Sequence, residues 1–288
     1  MTLPRGLEAD KPAGDNRAYV TLVTNADYAL GARALLRSLC LSGTMADLVI
    51  MHPRDLEPYA LAPLAALGAR LVAIDPLPVS DAFKTAHSCT RLHGLAPFTK
   101  GEKPSFHTPI DNFSKLRLWQ LDYEQTLFID ADALVLQNID RLFDYPEFCA
   151  APNVYESLAD FHRLNSGVFT ARPSYATFAA MLARLDQPGA FWKRTDQTFL
   201  EAFFPDWHGL PVFDNMLQYV WFTMPALWKW DDIRVLHFQY EKPWEDHAKA
   251  QLLAPLIALW QAYAGDGPVP QTETLPAPQA NPAPAALL

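Results

Sequence analysis

Hydrophobic positions along this chain follow two periods. Residues 18–24, 47–51 and 70–74 are short apolar runs rich in β-branched side chains, the pattern of buried strands. Between them, 28–41 carries Leu35, Leu36 and Leu39 at helical spacing, and 56–67 repeats the helical pattern. Asn25, Ala26 and Asp27 make the intervening turn, with side chains suited to capping a helix. Strands alternating with helices predict a mostly parallel, doubly wound α/β sheet. Ligands of such sheets bind outside the carboxyl ends of the strands, so the turn at 24–28 is one edge of a candidate site. It contains no GxGxxG and is not a dinucleotide fingerprint.

Further on, 113–121 reads as a helix carrying Lys115 and Arg117, and 126–129 as an apolar strand ending at Asp130-Ala131-Asp132. A second apolar run, 133–136, follows at once. A helical turn is expected at 138–143 and a strand at 148–152. Residues 165–170, NSGVFT, form a strand whose small entrance residues let a ligand approach the backbone. An amphipathic helix at 174–185 precedes Thr195-Asp196-Gln197, which leads into a helix to 204. His237 lies in a strand at 235–238, Lys242-Pro243-Trp244 follows, and 248–263 is a last helix interrupted by Pro255. Residues 1–17 read as a mobile leader and 265–288 as a disordered Pro/Ala-rich tail, which leaves one domain, 18–264.

Composition narrows the picture. Half the residues are hydrophobic, enough for a sizeable core, and the net charge of −9 argues against nonspecific nucleic-acid binding. Cys40, Cys89 and Cys149 form no CxxC pair and no disulfide framework, and no long apolar run resembles a signal or a membrane span. These features point to a soluble, cytoplasmic protein in a reducing compartment, with oligomeric state left open.

In an extended chain, residues two apart face the same side, so Asp130 and Asp132 can converge on one cation. Two hard oxygen ligands at a strand end suit Mg²⁺ or Mn²⁺ bridging to a substrate phosphate. Read by itself, the motif is equally an acidic turn closing a buried strand. Residues 75–111 are long, rich in Pro and His and without clear periodicity. The spacing of His87, Cys89, His93 and His107 there matches no zinc template.

The order of motifs resembles glycosyltransferase family 8, the glycogenin and galactinol synthase group. AYVTLVTNADYALGA is similar to its opening strand and Thr-Asn turn, and NFSKLRLWQL followed by LFIDADALVLQNIDRLF to its DxD block. LNSGVF, the pair Asp196-Gln197, LPVFDN and HFQYEKPW complete the order, from about residue 18 to 244. One segment departs: Gln239-Tyr240-Glu241 stands where the family usually has a glycine between its histidine and its KPW.

The resemblance implies a GT-A fold, a Rossmann-like nucleotide half joined to an acceptor half in a single domain. It implies a retaining hexosyltransferase with a UDP-sugar donor and Mn²⁺, Mg²⁺ being the alternative. Carried over by residue, Leu22, Thr24, Asn25 and Tyr28 would hold the uridine, and Lys115 would help hold the donor. Asp130, Ala131 and Asp132 would serve ribose and metal, with His237 as third metal ligand and Lys242 on the diphosphate. Asn165 and Ser166 would face the sugar, with Asp196 and Gln197 beside the anomeric carbon. The acceptor, a carbohydrate, polyol or other hydroxyl compound, would be selected by walls at 75–111 and 155–164.

Breaking a sugar–phosphate bond builds negative charge on the departing diphosphate, which a divalent cation and Lys242 can offset. Front-face attack, with Asp196 and Gln197 orienting the reactants, is the expected route over a covalent intermediate on Asp196. Two other readings remain: a nucleotide-sugar-binding protein that has lost turnover, motivated by the missing glycine, and a haloacid-dehalogenase-type phosphatase. The phosphatases place their aspartate motif in the first strand, whereas here about a hundred residues precede it. Tyr219, the candidate self-acceptor, has the hydrophobic neighbours of a packed core residue.

Overall fold

A computed structural model of the chain describes residues 16–88, 106–108, 110–155, 157–187 and 196–278. Its main sheet grows outward from β1 (Arg17–Leu22) and β4 (Gln125–Ile129), which lie side by side and parallel. β2 (Asp47–Pro53) and β3 (Arg70–Ile74) extend it in parallel on the β1 side. On the other side come β7 (Leu164–Ala171), antiparallel to β4, then β6 (Cys149–Pro152) and the two-residue β8 (His208–Gly209). The order is β3-β2-β1-β4-β7-β6-β8, a mostly parallel sheet with antiparallel pairing at β7.

Alternation along β1 and β4 explains the layers. Val20, Leu22 and Phe128 face one core with Phe113, Trp119 and Phe169; Tyr19, Leu127 and Ile129 face the other with Leu35 and Leu39 of α1 (Ala26–Leu41). Both faces are covered, so the strands read as near-continuous apolar runs. α1 starts where expected because the Asn25 side chain accepts from the Tyr28 backbone N–H at 3.1 Å. α2 (Pro58–Ala66) lies over the second face, while α4 (Tyr175–Leu185), capped by Ser174, and α5 (Asp196–Phe203) pack on the first.

A second, three-stranded sheet holds β5 (Ala133–Val135), β10 (Val235–His237) and β9 (Met216–Leu217). Between β9 and β10 the chain makes α6 (Val220–Thr223), and the last helix, α7 (Ala254–Ala264), packs with α1. β4 and β5 are separated only by Asp130-Ala131-Asp132, so this triplet is where the chain leaves one sheet for the other.

Four expectations change. The 113–121 segment is a 3-10 helix, Asp111–Gln120, not an α-helix. Residues three apart eclipse in that geometry, which sets Asn112 and Lys115 on one edge. Within 75–111 a short helix, α3 (Asp81–Ala86), buries Phe83 against His87 and Phe113; six residues are too few to show a period. His87 is buried with Nδ1 2.9 Å from the Phe83 carbonyl, whereas Cys89 and His93 lie outside the described residues. Pro255 does not interrupt the last helix but sits in its first turn, where a missing N–H costs nothing.

The fourth change concerns the ends. Arg17 belongs to β1, and the expected tail is packed as far as Pro276. Arg37 donates to the Ala262 carbonyl at 2.6 Å and to those of Gly265 and Gly267, and Trp230 Nε1 donates to the Pro276 carbonyl at 2.8 Å. Carbonyls that proline-rich chain cannot pair with itself are thus met by donors of the domain. Residues 1–15 of the leader and 279–288 of the tail lie outside the described residues. Among the described residues Cys40 and Cys149 are free thiols, and no helix is long and apolar enough to cross a membrane.

Candidate functional site

Two pairings assemble the site. In the β5–β10 ladder Ala133 lies opposite His237, so the residue before Ala133, Asp132, meets the imidazole; the Phe238 N–H donates to the Asp132 carbonyl at 2.8 Å. In the β4–β7 ladder Ile129 lies opposite Val168, so the next residue, Asp130, meets Gly167, and its N–H donates to the Gly167 carbonyl at 2.8 Å. Asn165 and Ser166 therefore stand beside Asp130 because of register alone. On the back of the triplet α1 approaches so closely that a Cβ on Gly31 would lie 2.5 Å from the Ala131 carbonyl oxygen and 2.7 Å from Trp244. Glycine is required there.

Each aspartate divides its two oxygens between different partners. Asp130 Oδ1 is 2.8 Å from Lys115 Nζ, while its Oδ2 is 3.9 Å from His237 Nε2. Asp132 Oδ2 pairs with Lys242 Nζ, while its Oδ1 is 3.2 Å from His237 Nε2. The lysines thus hold the outer oxygens, and the inner oxygens converge with the imidazole. One ligand atom from each of Asp130, Asp132 and His237 lies within 4.8 Å of the others, a separation a single cation can bridge. Nδ1 of His237 is 2.9 Å from Asn215 Oδ1, an acceptor, which leaves the Nε2 lone pair facing the two carboxylates. Two carboxylate oxygens and an imidazole nitrogen clustered within reach of one point fit a divalent cation.

Both carboxyls are buried, yet they differ. Burial pushes the Asp130 carboxyl up, against the pull of Lys115. The same burial acts on Asp132, but Lys242 and His237 together outweigh it and hold that group below the ordinary carboxylate range. Lys115 also reaches Asp196 Oδ2 at 3.1 Å; burial works against its charge, and Asp130 and Asp196 together raise its pKa above the ordinary lysine value. Asp196, the first residue of α5, takes a hydrogen bond from Ser166 Oγ at 2.9 Å, and Gln197 Oε1 accepts from the Ser166 N–H at 3.3 Å.

These groups line an open cleft of about 100 Å³. Leu22, Thr24 and Tyr28 form one wall, the DAD triplet and His237 the floor, and Asn165, Ser166, Asp196 and Gln197 the opposite wall, with Lys115 and Lys242 between. Of the residues expected at the site only Asn25 stands apart. Its amide caps α1 and donates to the Phe106 carbonyl at 3.1 Å.

Four further lining residues were not foreseen: His107, Asn112, Gln239 and Tyr240. Asn112 could have been found from its spacing of three before Lys115. Tyr240 could have been suspected from the missing glycine, since its φ of 69° is the left-handed conformation that glycine adopts freely. Its ring contacts Tyr155 and Tyr219 at 5.6 and 5.7 Å between centroids, offsetting a backbone cost of roughly 1 kcal/mol. Tyr219 itself is buried, and its hydroxyl donates to Glu241 Oε2 at 2.7 Å.

The model of glycosyl transferase family 8 matches residues 19–152. UDP-glucuronate:xylan alpha-glucuronosyltransferase 2 of Arabidopsis thaliana is 31% identical over 75% of this chain and 32% of its own length. Glycogenin-1 of Homo sapiens is 31% identical over 80% of this chain and 62% of its own. The chain therefore spans about a third of the plant enzyme's length. Among solved structures, the galactosyltransferase LgtC in complex with donor and acceptor sugar analogues superposes with a TM-score of 0.58 at 15% identity, covering 88% of this chain and 98% of that one. The fold is the GT-A arrangement, in one domain.

Proposed function

Because the chain belongs to glycosyl transferase family 8, we propose that it transfers a hexose from a UDP-sugar to a hydroxyl of a carbohydrate or polyol acceptor, with retention of configuration. The donor class is supported by the plant relative, whose name carries UDP-glucuronate. The observation that carries the reading is the division of labour at the DAD triplet: lysines on the outer oxygens of Asp130 and Asp132, and inner oxygens converging with His237 on one point.

Asp130, Asp132 and His237 would hold Mn²⁺, or Mg²⁺, and the ion when bound would offset charge on the diphosphate. Among the charged side chains lining the cleft, three carboxylates face two lysines, so the empty formal balance is −1 and a divalent ion reverses its sign. Lys242 stands beside Asp132, near enough to move its ammonium toward a phosphate oxygen and to stabilise that oxygen as it leaves. Leu22, Thr24 and Tyr28 offer a half-apolar wall for the uracil and ribose, and Ala131 presents its backbone there. Ser166 would face the sugar, on a wall that the Asn165 amide holds in place.

Asp196 favours front-face attack over a covalent intermediate. Its Oδ2 is already engaged by Lys115 and by the Ser166 hydroxyl, and it is almost fully buried, so it is a poor nucleophile but a good fixed dipole. Asp196 and Gln197 then position the sugar, and the departing phosphate accepts the acceptor's proton. Tyr240 in the left-handed conformation keeps the 239–241 strap in a glycine-like path, which favours turnover over a silent binding protein.

A thermal-shift panel of UDP-glucose, UDP-glucuronate and ADP-glucose, each with and without Mn²⁺, tests the proposal. Stabilisation by a UDP-sugar that requires Mn²⁺ is expected. Equal stabilisation without the ion, or none from any UDP-sugar, would overturn it, and a glycosylated Asp196 found by mass spectrometry would overturn the front-face route.

A further inference from the structure

A chain of buried amides behind the metal ligands can be read in one direction only. It starts at the Gly167 backbone N–H, which can only donate and lies 2.9 Å from one terminal atom of Asn165. That atom must be Oδ1. The Asn215 atom 2.8 Å from the same oxygen must then be its Nδ2, so Asn215 Oδ1 is the atom that faces His237 Nδ1 at 2.9 Å. An oxygen there accepts, and Nδ1 must carry a hydrogen. Asn165 Nδ2, the remaining group, donates to Asn153 Oδ1 at 2.9 Å and Gln239 Oε1 at 3.2 Å, so reversing any member leaves two acceptors or two donors facing each other.

From this we infer that Asn215 is a positioning residue that selects the Nδ1–H tautomer of His237 and so keeps Nε2 available as a cation ligand. The inference rests on the metal reading above for its purpose, not for its geometry. Without the relay, neutral His237 has a competing arrangement: an Nε2–H would donate to Asp132 Oδ1, 3.2 Å away, and close the ligand set against itself. The scaffold guards against this. Asn215 and Asp214 end a 3-10 turn, Val212–Asn215, and the fully buried Asp214 takes two hydrogen bonds of 2.7 Å from Arg141. The ring itself lies on Gly167, where a Cβ would come within 2.3 Å of Cε1 and 2.5 Å of Nδ1, so the position beneath it takes no side chain. Partners that orient a ligating histidine through its other nitrogen are worth roughly 10–100-fold in metal affinity.

The test is long-range ¹H–¹⁵N correlation on ¹⁵N-histidine-labelled, metal-free full-length protein at alkaline pH, paired with Mn²⁺ titration by electron paramagnetic resonance. Wild type should show His237 as Nδ1–H. Asn215→Leu should move it toward Nε2–H and weaken Mn²⁺ roughly 10–100-fold. A wild-type His237 in the Nε2–H form refutes the inference even if the variant does not fold, as does a folded Asn215→Leu that keeps wild-type Mn²⁺ affinity. Wild type with Nδ1–H but no Mn²⁺ binding would instead refute the metal reading and leave the tautomer assignment standing.

Discussion

Asp132→Asn isolates the charge of one carboxylate from its shape. In the native site Oδ2 pairs with Lys242 and Oδ1 lies 3.2 Å from His237 Nε2, both partners being buried. Breaking a buried pair costs about 3–5 kcal/mol when one charge is left without compensation. Here the amide oxygen can still accept from Lys242, and Lys242 keeps its bond of 2.9 Å to the Phe238 carbonyl, so the lower end of that range is expected. The larger signal is in metal binding. A ligand at about 100 times its Kd stabilises by roughly 2.7 kcal/mol. At about 2–4 °C per kcal/mol for a chain of this size, Mn²⁺ should raise the wild-type Tm by roughly 5–10 °C over an EDTA baseline. Asp132→Asn should lose that rise while keeping a cooperative transition. A variant whose Mn²⁺-dependent rise matched the wild type would show that the DAD triplet closes a strand and does nothing more.

Lys115→Met leaves Asp130 and Asp196 facing each other without an ammonium and should cost about 3–5 kcal/mol in urea unfolding. Because the folded pKa of Lys115 is raised above its ordinary 10.5, its contribution is fully present below that value and is lost as pH rises through the folded one. The stability gap between wild type and Lys115→Met should therefore hold through neutral pH and narrow only above about 10.5; a gap that closes below pH 9 would contradict the assignment (~1.5 units under the ordinary lysine value). Gly167→Ala should cost about 1–3 kcal/mol by overpacking against the His237 ring. It should also weaken Mn²⁺ by roughly tenfold, as displaced ligands do; unchanged Mn²⁺ affinity by calorimetry would mean the ring has room.

Most of the fold was legible because local and global signals agreed. The runs at 18–24, 47–51 and 70–74 became β1, β2 and β3, and Asn25 capped α1 as its residue type suggests. What misled was local chemistry read without its surroundings. Pro255 signals a break only if the helix has already begun, and the start of α7 is set by packing of Leu256, Leu259 and Trp260. The Pro/Ala stretch after 264 looked coreless, but Arg37 and Trp230, distant in sequence, supply the donors it needs. At the site, residues picked for their chemistry line the cleft, and lining residues placed by backbone geometry were missed. Asn112 depends on a 3-10 spacing, and Tyr240 on a left-handed backbone that sequence pattern disfavours. Asn25 is absent from the cleft lining because its side chain caps α1 and bonds the Phe106 carbonyl.

The triplet at which the chain passes from one sheet to the other has a mechanical consequence. Asp130 is bound to the edge of β7 through its N–H, whereas Asp132 and His237 belong to the β5–β10 ladder. An ion shared among them would add a second tie between the sheets beside the one the Asn165 and Asn215 amides already make. Opening of either sheet at this seam would then have to release the ion first. Amide exchange in β7 and β10 should slow in concert on loading, so that occupancy of the site is legible as stiffness in both sheets.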